Sequence, residues 1–163
     1  MLRLPDKARA IRFAVVVVAA LAASACAKTA EDLGAGGSGA PGSQQDFATN
    51  VGDRVFFETD SSELTGAAQS TLTKQAAWLT RYASYSFTIE GHADERGTRE
   101  YNFALGARRA QATRDYLISK GINASRMRTV SYGKERPVAT CDDISCWSQN
   151  RRAVTVLSGA PQS

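Results

Sequence analysis

The 163-residue chain has one histidine, three cysteines, four prolines and no apolar run as long as a bilayer-crossing helix needs. Each scarcity removes a class of function. A catalytic zinc centre takes about three protein ligands, and His92 has no second histidine to join it. No G-x-S-x-G elbow is present for a nucleophilic serine, and "GINAS", residues 121–125, lacks the pattern of a phosphate-cradling loop. No internal repeat stands out, and the length suits one domain of ordinary size with a real core.

What is present begins with a leader. "MLRLPDKARAIRFAVVVVAALAASAC" places Arg3, Lys7, Arg9 and Arg12 before an apolar run from Phe13 to Ala23. That run is about half of a membrane-spanning length, and small residues follow it, so residues 1–25 read as a secretory signal peptide. Its end has two readings. Ala23-Ser24-Ala25 before Cys26 resembles a bacterial lipobox, in which the cysteine takes lipid, although Ala23 stands where a larger apolar residue is usual. The same residues fit an A-x-A cleavage site that would release a soluble periplasmic protein. Cysteine arithmetic favours the first, because lipidation of Cys26 leaves Cys141 and Cys146 as an even pair in an oxidising compartment. Those two stand as a short disulfide loop in "CDDISC" or as two thiols. Ala27 after the cysteine is not the aspartate that, in the lipoprotein sorting rule, retains a product at the inner membrane, which implies the outer one.

Loss of the leader changes the charge. Removing Arg3, Lys7, Arg9, Arg12 and Asp6 leaves sixteen basic against fifteen acidic residues, a balance of +1. The basic pI of 9.1 therefore belongs mostly to the leader, and nucleic-acid binding loses its main support. Residues 26–45, rich in Gly, Ala, Ser and Gln and without apolar period, read as a lipidated N-terminus and tether. A Gly-rich coil of ~20 residues averages ~25 Å end to end and reaches ~65–70 Å when taut.

From residue 46 to 160 the pattern is that of a folded domain. "RVFFE", Arg54–Glu58, reads as a strand closing at "TDSS". Leu64, Ala68, Leu72, Ala76, Leu79 and Ala83 recur at helical spacing, with Thr65 as an N-cap. "SYSFTIEG" alternates as a half-buried strand. A second helix follows from about Arg99 to Lys120, with Gly121 at its C′ stop. "RMRTVSYG" and Arg151–Leu157 complete the order β-α-β-α-β-β, an α+β fold with a mixed sheet packed by two main helices.

The inward stripe of the second helix reads Asn102, Leu105, Arg109, Ala112, Tyr116. An arginine on an apolar stripe needs an acidic partner, since a buried unpaired charge costs several kcal/mol. Asp94, in the loop before the helix, is the nearest. Two readings stand: a structural Asp94–Arg109 ion pair, or a split clamp in which Asp94 takes an ammonium and Arg109 a carboxylate of one zwitterionic ligand. His92, closing a strand, reads as packed or hydrogen-bonded.

"GHADERGTREYNFALGARRA", then "SYGKERP" and "NRRAV", closely resemble the OmpA-like peptidoglycan-binding domain, over about residues 51–158. With the lipobox and tether, the chain is similar to the peptidoglycan-associated lipoproteins of the Tol–Pal system. The resemblance implies a non-catalytic bridge between outer membrane and cell wall. The implied ligand is the stem's meso-diaminopimelate, with TolB and TolA as protein partners and no cofactor or metal. Mapped by motif, Asp94 and Arg109 grip the diaminopimelate head group, Asn102 fixes the loop or the stem, and Leu105 supports the floor. Asp60 carries over from the first loop, while Thr59 replaces the family's phenylalanine. Gly106 stands where serine is common, and Asn150 and Arg151 fall either at the pocket edge or in a structural role. A peptidoglycan-cutting enzyme is the competing class, with Glu95 and His92 as the only nearby acid–base pair.

Overall fold

Four strands form one sheet in the order β1-β4-β2-β3, in a computed structural model that describes residues 39–159. The leader, Cys26 and residues 27–38 of the expected tether lie outside the described residues. The strands are β1 (Arg54–Phe56), β2 (Ser86–His92), β3 (Met127–Gly133) and β4 (Arg152–Ser158). β2 pairs antiparallel with β4, as β1 does, and parallel with β3. The sheet is mixed, as the pattern predicts. A parallel neighbour requires a crossover, and α3 (Arg99–Ser119) supplies it.

α2 (Gly66–Arg81) starts where Thr65 accepts a hydrogen bond from the Ala68 amide at 3.2 Å. Its buried face is Ala68, Leu72, Gln75, Ala76, Trp78 and Leu79. Leu64 and Ala83, expected on the stripe, fall outside the helix. Gln75 is buried without penalty because its amide donates to Gly52 O and accepts from Thr155 Oγ1. Phe87 and Ile89 of β2 face this layer, with Leu72, Leu79, Tyr85 and Leu117 in the same core.

α3 is capped by Thr98, which accepts from the Tyr101 amide. Its buried face begins as expected with Asn102, Leu105 and Arg109, then turns to Gly106, Ala110, Thr113 and Leu117. Ala112 and Tyr116 are only half-buried. The rotation has a steric cause at Gly91 and Gly106. A Cβ on Gly91 would lie 1.8 Å from Gly106 O, and one on Gly106 would lie 2.4 Å from Ser131 Oγ. Two glycines let helix and sheet approach backbone to backbone on that side, which also explains why serine is replaced at 106.

Further elements depart from the expected order. Gln44–Asp46 (α1) and the π turn Phe47–Gly52 pack on α2, with Phe47 buried. Trp78 Nε1 donates to Asp46 Oδ2 at 2.8 Å, and Tyr85 Oη to Gly42 O at 2.8 Å. Residues 42–45 therefore belong to the folded part and not to a tether. α4 (Ile144–Asn150) precedes β4, capped by Asp143 and closed at its start by a Cys141–Cys146 disulfide with Cα atoms 5.7 Å apart.

Candidate functional site

The loop from Ala93 to Thr98 joins β2 to α3, and it is fastened from three sides. Asn102 Nδ2 donates to Arg96 O at 2.7 Å, so the first turn of α3 holds the loop that precedes it. Lys134 Nζ reaches Gly97 O at 2.6 Å and Glu95 O at 3.2 Å. Trp147 Nε1, from α4, donates to the Glu95 carboxylate. Gly97 adopts φ +87°, which a side chain would resist.

Facing this loop is the turn after β1, where Asp60 sits at φ +56° and accepts a hydrogen bond from Tyr101 Oη. That bond raises the Tyr101 phenol above its ordinary value. Between the two loops lies a cavity of about 270 Å³. Five of the expected residues meet there: Thr59, Asp60, Asp94, Asn102 and Leu105. Arg96, Gly97 and Tyr101 complete the lining, and sequence reasoning missed them. Arg96 is a loop residue and Tyr101 an exposed one, so neither breaks an apolar pattern; a fold was needed to place them. A larger concavity of about 470 Å³, walled by Phe103, Ser131 and Tyr132, also carries Arg99, Glu100 and Glu135, but its acid and base are exposed and Arg99 is paired with Glu135 at 3.0 Å.

Asp94 is 7 % exposed. Burial alone would raise its carboxyl, yet hydrogen bonds from the Arg96 side chain and amide and from Arg151 outweigh that and hold it below the ordinary carboxylate range. Arg96 binds both carboxylate oxygens, Nε to Oδ1 at 3.1 Å and Nη2 to Oδ2 at 2.8 Å. Arg151 Nη1 lies 3.4 Å from Oδ2. The carboxylate is ionised at neutral pH and fixed in place.

Arg109 is fully buried and does not line the cavity. It has no hydrogen bond to Asp94. Its three nitrogens each donate to a main-chain carbonyl: Nε to Ser61 at 2.8 Å, Nη1 to His92 at 2.9 Å and Nη2 to Glu58 at 3.1 Å. The direct Asp94–Arg109 ion pair, one of the two readings of the sequence, is thus replaced by a carbonyl cage that ties the β1 turn to the end of β2. Burial lowers the guanidinium to about 10, against the attraction of Asp94. Asp94 still feels this charge without touching it.

Asn150 is a structural residue, away from the cavity: its amide holds the amides of Val138 and Ala139 and the carbonyl of Ala139. Arg151, 5 % exposed, braces the site by donating to Phe57 O at 2.9 Å as well as to Asp94. His92 is buried against the Tyr132 ring, and neither ring nitrogen has a hydrogen-bond partner. Burial, helped by the charges of Arg152, Arg136 and Arg54, lowers it to about 4, so the imidazole is neutral at pH 7. A base must be able to reach a substrate proton, and this one is sealed in. Among the described residues no group of three metal-ligating side chains gathers, and no helix is long and apolar enough to cross a membrane.

Residues 56–151 match the model of the OmpA family, which defines the class of this α+β domain. The peptidoglycan-associated lipoprotein of Agrobacterium fabrum is 64% identical over 154 residues, spanning 90% of this chain and 87% of that one. The crystal structure of the peptidoglycan-associated lipoprotein from Burkholderia pseudomallei superposes with a TM-score of 0.63 at 42% identity, covering 65% of this chain and 90% of that chain. The C-terminal domain of Helicobacter pylori MotB shares the fold, with a TM-score of 0.62 at 22% identity over 67% of this chain and 86% of that chain. The chain belongs to the OmpA family and, within it, to the peptidoglycan-associated lipoproteins; it is a structural protein and not an enzyme.

Proposed function

We propose that this chain is an outer-membrane lipoprotein, anchored through Cys26, whose periplasmic domain binds the peptide stem of peptidoglycan noncovalently. It would thereby link membrane to wall within the Tol–Pal system, with TolB and TolA as protein partners, in support of envelope integrity and cell division. The names of the relatives and the lipobox-like leader support the anchor and the wall. The observation that carries the ligand reading is the cavity itself. One ionised carboxylate, Asp94, lines it with Asp60, while three guanidinium groups surround that carboxylate. Opposite charges held a few ångströms apart by fixed neighbours suit a ligand that ends in an ammonium and a carboxylate on one carbon, as the side chain of meso-diaminopimelate does.

The physics needs no bond to break. Asp94 attracts the ammonium in a partly desolvated loop where charge pairs are worth more than in water. The arginines supply positive potential for the carboxylate. A wall-cutting reading finds no support in Glu95, which is held by Trp147, or in the sealed His92.

Cosedimentation with diaminopimelate-containing sacculi tests the proposal. The wild-type domain is expected to pellet and to release no soluble fragments. Asp94→Asn, which keeps shape but removes charge, is expected to stay in the supernatant while its melting transition remains cooperative. Undiminished pelleting of a folded Asp94→Asn would overturn the reading.

A further inference from the structure

The chain leading into α4 has little to hold it. Residues 140–145 are all exposed, Ile144 at 56%. Among the described residues, their hydrogen bonds stay within this stretch and α4. Asp143 Oδ1 accepts from the Ser145 amide, and Asp143 O from the amides of Cys146 and Trp147. α4 itself has seven residues, and a helix that short is marginal without outside support. The Cys141–Cys146 bridge closes its first turn covalently. Ring closure removes conformations from the open chain, and here it does so where packing does not.

α4 then reaches the loop of residues 93–98 at two points. Trp147, the neighbour of Cys146, donates from Nε1 to the Glu95 carboxylate and lies 4.1 Å from the Arg96 guanidinium that stacks on it. Arg151, whose amide caps the helix on Trp147 O, donates to Asp94 at 3.4 Å. Arg96 Nη2 in turn holds Asp94 Oδ2 at 2.8 Å. Trp147 therefore joins the bridge to the loop. Cys141 is exposed, and exposed disulfides are the ones that exchange readily with thiols.

We infer that the Cys141–Cys146 bridge is a redox-sensitive clasp: closed, it holds Trp147 against Glu95 and Arg96, and opened by a dithiol it lets the 93–98 loop loosen. In the opening step a thiolate of the dithiol attacks Cys141 Sγ, the S–S bond breaks, and Cys146 leaves as a thiolate that takes up a proton. The second thiol of the reagent then displaces Cys141 from the mixed disulfide and passes its proton to it. Two electrons enter the protein, and the reagent departs as a disulfide. Control of ligand uptake by the clasp rests on the stem-peptide reading above; the clasp itself does not.

Hydrogen exchange on the full chain, oxidised, reduced with dithiothreitol, and as Cys141→Ser/Cys146→Ser, reads the clasp without a ligand. Amides of residues 93–98 are expected to exchange about threefold faster or more once the bridge is open, the worth of one exposed cation–π contact. Those of β2 should keep their wild-type rates. Trp147→Leu in the oxidised chain should speed the same loop amides, and should add little in the serine pair, because both changes break one connection. Unchanged rates at 93–98 refute the inference. An equal rise through β2 refutes it too, since the bridge would then hold the whole domain. In cosedimentation with diaminopimelate-containing sacculi, the pelleted fraction of the reduced chain should fall severalfold, and equal pelleting of both forms overturns control by the clasp. An oxidised chain that does not pellet refutes the stem-peptide reading, while the exchange rates still decide the clasp.

Discussion

Replacing Arg109 by methionine keeps most of the side chain's volume and removes its guanidinium. The structure sets the cost. Three main-chain carbonyls, on Ser61, His92 and Glu58, lose a charged donor at 2.8, 2.9 and 3.1 Å, the His92 contact fully buried and the other two partly so. A hydrogen bond to a charged group contributes about 1.5–3 kcal/mol, so the gross loss is about 5–9 kcal/mol. Part returns, because the native state no longer buries a charge. Burial brings this guanidinium down to about 10, and a displacement of that size corresponds to about 3 kcal/mol. The net destabilisation is about 2–6 kcal/mol, a large share of the roughly 5–15 kcal/mol that holds a domain together. For a domain of this size it should lower Tm by about 10–20 °C. Thermal unfolding followed by far-UV circular dichroism reads the shift, and hydrogen exchange should place the lost protection at residues 58–61. A Tm within about 3 °C of wild type would refute the carbonyl-cage account and return Arg109 to the role of a ligand contact.

Gly91→Ala should unfold the domain or yield only aggregated protein, since its Cβ would overlap the Gly106 carbonyl 1.8 Å away and backbone on both sides must move; a soluble variant melting near wild type would disprove that close approach. His92 makes the fold acid-sensitive. Its folded value is lowered to about 4, while the unfolded imidazole titrates near about 6.5. Between those values the unfolded chain binds a proton that the folded one rejects, so stability falls as pH drops through this window, by up to about 3 kcal/mol. His92→Leu should flatten that part of a Tm-against-pH plot, and an unchanged slope would show that other groups set it. Asp94, whose carboxyl is lowered, contributes stability above its ordinary value that is lost only at more acidic pH.

The sheet-and-helix frame was readable because periodicity is a local property. Phe87 and Ile89 alternate, Leu72, Ala76 and Leu79 recur by turns, and the structure uses them so. Arg109 was legible as a cation on the wrong face, but its acceptors were not. They are main-chain groups 17 to 51 residues away, and a carbonyl carries no sequence signature. The Gly91–Gly106 contact was hidden for a related reason, since a missing side chain leaves no pattern to count. Residues 42–52 offer a single buried aromatic, Phe47, too little to distinguish a packed strap from a coil. The cavity assembled around Asp94 was legible in Thr59, Asp60, Asn102 and Leu105. Arg96 and Tyr101 waited for the distance between two loops, which no spacing along the chain encodes.

The strap at residues 42–52 decides where mechanical load would enter. A chain pulled from its N-terminal side hauls first on Gly42 and Asp46, which are latched to Tyr85 and Trp78 beside the C-terminal half of α2. The pull is taken there, and not at β1, a three-residue strand at the rim of the sheet that would otherwise unzip from β4. Tension between two anchored surfaces would thus be routed into the aromatic cluster of Phe47, Trp78, Tyr82 and Tyr85, leaving the turn at Thr59 and Asp60 unloaded until the latch gives way.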